Sequence, residues 1–203
     1  PTAEHSSAGR DGAAAPTRRR GYRPRMDLAQ LEDVRLKDSD GDEHRLGDLW
    51  ADQPVIVVFL RHFGCHLCRE HACILRDRYA EATERGAEVV AIGTGSVRYA
   101  EAFKRDEGVP FLVLVDDDAE AANAAAIRSV TPFGLFSPRS WPGAWKARQA
   151  GHKVHKAGKR VTQLGGTFVL GAGSQVRFDH VDQHTADHAD LEQVFAALPE
   201  RVA

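Results

Sequence analysis

Cysteine is scarce in this 203-residue chain: Cys65, Cys68 and Cys73 are all there are, crowded into one short stretch. That is no framework of structural disulfides, and it suits a reducing compartment, so a cytoplasmic location is expected. Long apolar runs are missing as well. The longest, Val55 to Leu60, falls far short of the roughly 20 residues a membrane-spanning helix needs, so a soluble protein without a membrane partner is expected. Excess charge of either sign is also lacking. The 27 basic and 29 acidic residues leave a net charge of −2, which gives no reason to expect nucleic acid as a partner.

Acidic residues are absent over one interval, Ala121 to Phe178, where Arg128, Arg139, Lys146, Arg148, Lys153, Lys156, Lys159, Arg160 and Arg177 occur. A positively charged region is expected there. It is read as a solvated face, with attraction of an anionic substrate or partner as the alternative. The first 25 residues carry Arg10, Arg18, Arg19, Arg20, Arg23 and Arg25 but no apolar stretch of the kind a signal peptide requires. Residues 1–26 are therefore expected to be a disordered Arg-rich leader, and residues 27–203 one folded domain.

The folded part begins with LEDVRLKDSDGDEHRLGDLW, whose Asp40-Gly41 pair between alternating residues predicts a hairpin. Val55 to Leu60 reads as a strand buried on both faces and central in the sheet. Leu67 to Arg85 has the spacing of one helix face, with Gly86 as its stop. The unit repeats as the strand AEVVAIG, a helix from Ser96 to Gly108 and the strand VPFLVLVDD, which predicts an α/β fold with a mixed sheet flanked by helices. AEAANAAAI adds a short helix, and GGTFVLGAGSQVRFDHV a hairpin turning at Gly171 to Ser174. A last helix is expected over Ala189 to Leu198, with Asp187 as its cap. Residues 131–163, proline- and glycine-rich at first and without clean periodicity, read as a basic insertion or lid.

Cys65 and Cys68 stand where a buried strand meets a helix. Free backbone N–H groups of a first helical turn favour thiolate there, and Arg61, His62, His66 and Arg69 lie close in sequence. A thiolate attacks disulfides and peroxides, and cysteines three apart at a helix start can be joined, the exposed first attacking and the second resolving. A redox pair is the preferred reading; zinc and simple packing are the competitors. Cys65, Cys68, His71 and Cys73 make four ligands on paper, but Cys73 lies about 140° around a helix from Cys68, so no metal is expected. Cys73 reads as a small packed residue. His152, His155, His180, His184 and His188 read as solvated side chains. Trp50, Trp141 and Trp145 read as cover for the core.

The blocks FLRHFGCHLCREHA, FKRDEGVPFLVLVDDDAEAANAAAI and QLGGTFVLGAGSQVRFDHVDQHTADHAD together resemble the peroxiredoxin-like branch of the alkyl hydroperoxide reductase and thiol-specific antioxidant superfamily, over about Leu28 to Leu198. The resemblance extends to the basic insertion before QLGG. It implies a thioredoxin-like fold with an added N-terminal hairpin, redox roles for Cys65 and Cys68, no organic cofactor, a peroxide or disulfide substrate, and a thioredoxin-like protein or glutathione as reductant. Two departures are visible. Where true peroxiredoxins have Pro-X-X-X-Thr-X-X-Cys, this chain has Val58 and His62 in the proline and threonine places. Where thioredoxins have a cis-proline facing the pair, it has Gly165, Gly166 and Thr167.

Cys65 is the expected nucleophile and Cys68 the resolving thiol. Arg61 and His62 are candidates for acidifying Cys65 or steering substrate, and Gly166 and Thr167 for substrate contact. The alternatives are a specialised biosynthetic enzyme on the same fold and a non-catalytic redox sensor or anionic-ligand binder.

Overall fold

A computed structural model describes residues 25–129 and 162–200. The leader and most of the basic insertion, including Arg139, Trp141, Trp145, His152 and His155, lie outside the described residues. Among the described residues no helix is long and apolar enough to cross a membrane.

The chain enters through α1 (Leu28–Asp33), a short helix that the hairpin signal after it had masked. The Asp27 carboxylate caps it by accepting from the Gln30 N–H at 3.1 Å, and Leu31 anchors it in the core. The expected hairpin follows as β1 (Arg35–Asp38) and β2 (Glu43–Arg45). Its turn is held by Asp38, whose Oδ1 accepts from the N–H groups of Asp40, Gly41 and Asp42, while Gly41 takes φ +96°, a region that costs glycine little.

After α2 (Leu46–Leu49) come β3 (Val55–Leu60), α3 (His66–Asp77), α4 (Tyr79–Glu84), β4 (Glu88–Gly93), α5 (Val97–Glu107), β5 (Leu112–Val115) and α6 (Glu120–Ala124). Beyond the insertion, β6 (Gly166–Gly171) and β7 (Gln175–Val181) form the second hairpin and α7 (Leu191–Ala196) closes the fold. The strands make one sheet in the order β2-β1-β5-β4-β3-β6-β7. β3, β4 and β5 run parallel, and the outer pairings are antiparallel, which gives the mixed sheet expected. β4 rather than β3 is the middle strand, although β3 has a partner on each side.

Period-two alternation divides β3 between two cores. Ile56, Val58 and Leu60 face Leu67, Ala72 and Leu75 of α3, Phe103 of α5 and Phe195 of α7. Val55, Val57 and Phe59 face Leu31, Trp50 and the alanines of α6. The result is a helix–sheet–helix sandwich, which holds the end of β3 rigidly between two packed layers.

Two expected boundaries move. The single helix over Leu67 to Arg85 is broken at Arg78, which takes φ −106° and ψ 8°. The break turns the Arg78 guanidinium onto the Phe195 ring at 3.9 Å and into ion pairs with Glu81 and Glu192, tying α4 to α7. The last helix is capped by Asp190, which accepts from the Glu192 N–H at 3.0 Å, not by Asp187. Asp187 instead accepts from the Gln183 N–H at 2.6 Å, within the preceding loop.

Candidate functional site

β3 delivers Arg61 and His62 at its end, and one turn later Cys65 stands as the N-cap of α3, its N–H donating to the His62 carbonyl at 3.0 Å. Apolar β3 cannot continue here because Gly64 and the helix start redirect the chain. The turn is pinned from outside: Arg69 Nε donates to the Phe63 carbonyl at 2.9 Å, and Arg69 Nη1 pairs with Glu107 of α5 at 2.6 Å. From the sheet side, the Thr94 hydroxyl donates to the Arg61 carbonyl at 2.8 Å. Both faces of the Arg61–Cys65 segment are thus fixed by buried polar bonds.

Neither thiol of the pair is open to solvent: Cys65 is 4% exposed and Cys68 2%. This corrects the expectation of an exposed first cysteine. The hydrogen-bonded turn from His62 to Cys65 tucks the sulfur under the end of the sheet.

The Arg61 Nη1 lies 3.8 Å from Cys65 Sγ. The Cys65 thiol is brought down from 9.0 to about 6, chiefly because Cys68 S–H donates to its thiolate; burial opposes this, and the Arg61 charge assists. Cys68 is pushed in the other direction, first because it is the donor to Cys65 and then by burial. Two neighbouring thiols therefore hold one proton between them, with the negative charge on Cys65. Cys73 behaves differently. Burial and its hydrogen bond to Glu107 Oε2 at 3.1 Å push it up to about 12, so it stays a thiol and serves as a donor.

His62 lies beside the pair but is kept neutral: burial first, then the charges of Arg61 and His66, lower it to about 4. Its Nδ1 is buried without a hydrogen-bond partner. Gly166 pairs with Phe59 on β3, so β6 starts next to the strand end that leads to the cysteines, and Thr167, buried, pairs with Val58. The space opened by the missing side chains is taken by the chain itself. A Cβ at Gly165 would meet the Phe59 carbonyl at 2.5 Å and Asp182 Oδ2 at 2.7 Å; one at Gly166 would meet the His180 carbonyl and Ile127 Cδ1, each at 2.8 Å.

Sequence reasoning passed over the segment that backs the site. Asp182, the first residue after β7, is buried, and His180 and His188 approach it with ring nitrogens 3.5 and 3.7 Å from its carboxylate. The His188 ring stacks on His71 of α3 with centroids 4.6 Å apart. His180 and His188 are thus half-buried members of a cluster, not the solvated side chains expected, because α3 and β7 close over them. His71 goes to this stack instead of joining the cysteines, and among the described residues no group of three or more His, Cys, Asp or Glu is arranged to hold a metal ion.

With this geometry in view, comparison with known proteins is informative. The chain is 29% identical over 180 residues to the thioredoxin-like protein AAED1, chloroplastic, of Arabidopsis thaliana, covering 82% of this chain and 71% of that protein. It is 28% identical over 173 residues to the prostamide/prostaglandin F synthase of Salmo salar, covering 80% and 83%. Among solved structures, the peroxidoxin BcpB of Mycobacterium tuberculosis superposes with a TM-score of 0.60 at 21% identity, covering 81% of this chain and 90% of that one, which supports a thioredoxin-like peroxiredoxin fold. The AhpC/TSA family profile matches residues 29–173, most of the chain, and this protein belongs to the AhpC/TSA family.

Proposed function

We propose that this chain is a thiol-dependent oxidoreductase that reduces a peroxide or related oxidised substrate through a Cys65/Cys68 dithiol–disulfide cycle. Family membership supports redox chemistry in general. The observation that carries the finer reading is the division of labour at the start of α3: Cys65 is made acidic by the Cys68 S–H and by Arg61, while Cys68 stays protonated. A protein that merely bound an anionic ligand would have no use for a thiolate at neutral pH, and a buried thiol left to itself would be driven the other way.

With a peroxide, the Cys65 thiolate attacks one oxygen. The S–O bond forms, the O–O bond breaks, and the second oxygen leaves with the electron pair and takes up a proton. Cys68 then attacks the sulfenic acid, forming the Cys65–Cys68 disulfide and releasing water. With a disulfide substrate the first product is a mixed disulfide, which Cys68 resolves in the same way. A thioredoxin-like dithiol protein or glutathione resets the pair, which calls for a compartment where thiols are kept reduced, the cytoplasm by preference.

Arg61 holds the negative charge on Cys65 and steers the polar end of the substrate. His62, being neutral, offers its unpartnered Nδ1 to a substrate oxygen. Gly166 and Thr167 support the strand against which this turn is built.

The test is the oxidation of fully reduced protein by equimolar hydrogen peroxide, followed by intact mass with mapping of the linked cysteines. Rapid formation of a Cys65–Cys68 disulfide, abolished in Cys65→Ser, is expected. Oxidation no faster than that of an ordinary free thiol rejects the peroxide as substrate, and if small disulfides also fail to react, the redox reading falls.

A further inference from the structure

At the end of β4 a threonine stands between two glycines, Gly93-Thr94-Gly95, and this segment lies against the turn that carries the dithiol. Along β4 the positions that face α3 and α5 shrink from Val89 to Ala91 to Gly93. The last step makes room for the Phe63 ring: a Cβ at Gly93 would lie 2.6 Å from Phe63 Cε1 and 2.9 Å from its Cζ. Gly95, at φ +140°, meets the other edge of the same ring, where a Cβ would come within 3.2 Å of Cδ2. The ring is buried and packs on Phe103 of α5 with centroids 5.5 Å apart, so it is held in this notch from the far side as well.

Between the glycines, Thr94 is 1% exposed, and its hydroxyl donates to the Arg61 carbonyl at 2.8 Å. Its base is firm, because Gly93 pairs with Leu60 of β3 on one side and Val115 of β5 on the other. Three successive carbonyls of the turn are thereby held from three directions. Arg61 accepts from Thr94, His62 from the Cys65 N–H at 3.0 Å, and Phe63 from Arg69 Nε at 2.9 Å. The Thr94 bond falls on the residue whose guanidinium faces the nucleophile, with Arg61 Nη1 3.8 Å from Cys65 Sγ. A shift of the Arg61 backbone changes that distance, and with it the attraction between guanidinium and thiolate.

We propose that Thr94 is a positioning residue of this site: it fixes the Arg61 backbone so that the guanidinium stays against the Cys65 sulfur. The proposal rests on the reading of Cys65 as the nucleophile. Thr94 acts through Arg61 and takes no part in bond making. Its β-branched side chain, restricted at χ1, keeps the hydroxyl aimed in one direction. A hydroxyl that merely satisfied a buried carbonyl would affect stability alone. One that places Arg61 also sets the pH at which Cys65 ionises.

The test is the ultraviolet absorbance of the thiolate against pH in the full reduced chain, with stability followed in parallel by chemical denaturation. Arg61→Met should raise the Cys65 midpoint by about one pH unit or more, as loss of an adjacent cation does. Thr94→Val keeps the shape and removes the donor, and should raise the midpoint by roughly half a unit, whereas Thr94→Ser should stay close to wild type. Thr94→Ala removes the same donor with a smaller side chain and should give the same rise, so the result does not hang on one variant folding. In the Arg61→Met background Thr94→Val should add nothing, because the two residues act as a unit. An unchanged midpoint in folded but less stable Thr94 variants makes the hydroxyl a structural cap and overturns the proposal. So does an equal rise in the Arg61→Met background, which would show that Thr94 does not act through Arg61. A wild-type midpoint at the ordinary 9.0 rejects Cys65 as the thiolate and takes this proposal with it. The titration uses no oxidant, so slow oxidation by peroxide bears on the substrate and not on Thr94.

Discussion

Replacing Cys68 by alanine should turn Cys65 into a weaker acid. The Cys65 thiol stands near 6 against an ordinary 9.0, a displacement equivalent to about 4 kcal/mol at roughly 1.4 kcal/mol per unit. Its largest cause is the Cys68 S–H donated to the thiolate, burial works against it, and Arg61 comes next in support. A hydrogen bond to a charged group contributes about 1.5–3 kcal/mol, so Cys68→Ala should raise the Cys65 midpoint by about one to two pH units. Cys68→Ser keeps a donor at the same place and should raise it less. The assay is the ultraviolet absorbance of the thiolate as a function of pH. Cys73, held at about 12, stays silent across the range, so Cys65 is read without a further substitution. An unchanged midpoint in Cys68→Ala would show that Arg61 and the helix start suffice. A serine variant shifted as far as the alanine variant would show that the donor is not the cause.

Gly165→Ala should lower stability by about 1–3 kcal/mol in chemical denaturation, since its Cβ would lie 2.5 Å from a backbone carbonyl that cannot give way. Arg69→Met should cost about 3–5 kcal/mol, because it removes the 2.6 Å ion-pair partner of Glu107 and the donor to the Phe63 carbonyl; near-neutrality would mean that the pair does not hold the turn. Stability should also depend on pH with a definite sign. His62, His71 and His188 are held near 4, 3 and 4 against 6.5, so between about pH 4 and 6.5 the unfolded chain binds three protons that the folded chain does not. Asp182, near 8 against 3.8, binds one in the folded chain only, which leaves a difference of two. Stability should therefore fall by about 3 kcal/mol per pH unit on acidification through that window, and flat stability there would refute the neutral burial of these rings. From about 6.5 to 8, Asp182 loses stability as pH rises while Cys65 gains it, so the two offset and a plateau is expected.

How far the sequence could be read follows from the range over which each signal acts. β3, β4, α5 and the β6–β7 hairpin were legible because their patterns are periodic within a few residues and no tertiary contact overrides them. The cysteine pair was legible for the same reason: strand end, helix start and both thiols lie within one short segment. The break at Arg78 was not, because it is stabilised by Phe195 and Glu192, more than a hundred residues downstream. Nor was the acid behind the site. The segment DHVDQHTADHAD is hydrophilic, and hydrophilic segments are usually solvated. Only when β7 returns alongside β6 and the loop folds back to α3 are Asp182 and the His188 ring drawn out of water into one cluster. Gly165 carries both halves of this lesson. Its place in the stretch that, by resemblance to thioredoxins, faces the cysteine pair marks it as a candidate, whereas the Phe59 carbonyl and the Asp182 carboxyl that leave no room for a side chain are supplied only by the tertiary fold. Residues that set the chemistry of a thiol can thus be read locally when they act through the helix that bears it, whereas a polar cluster assembled from distant segments can be read only from the finished fold.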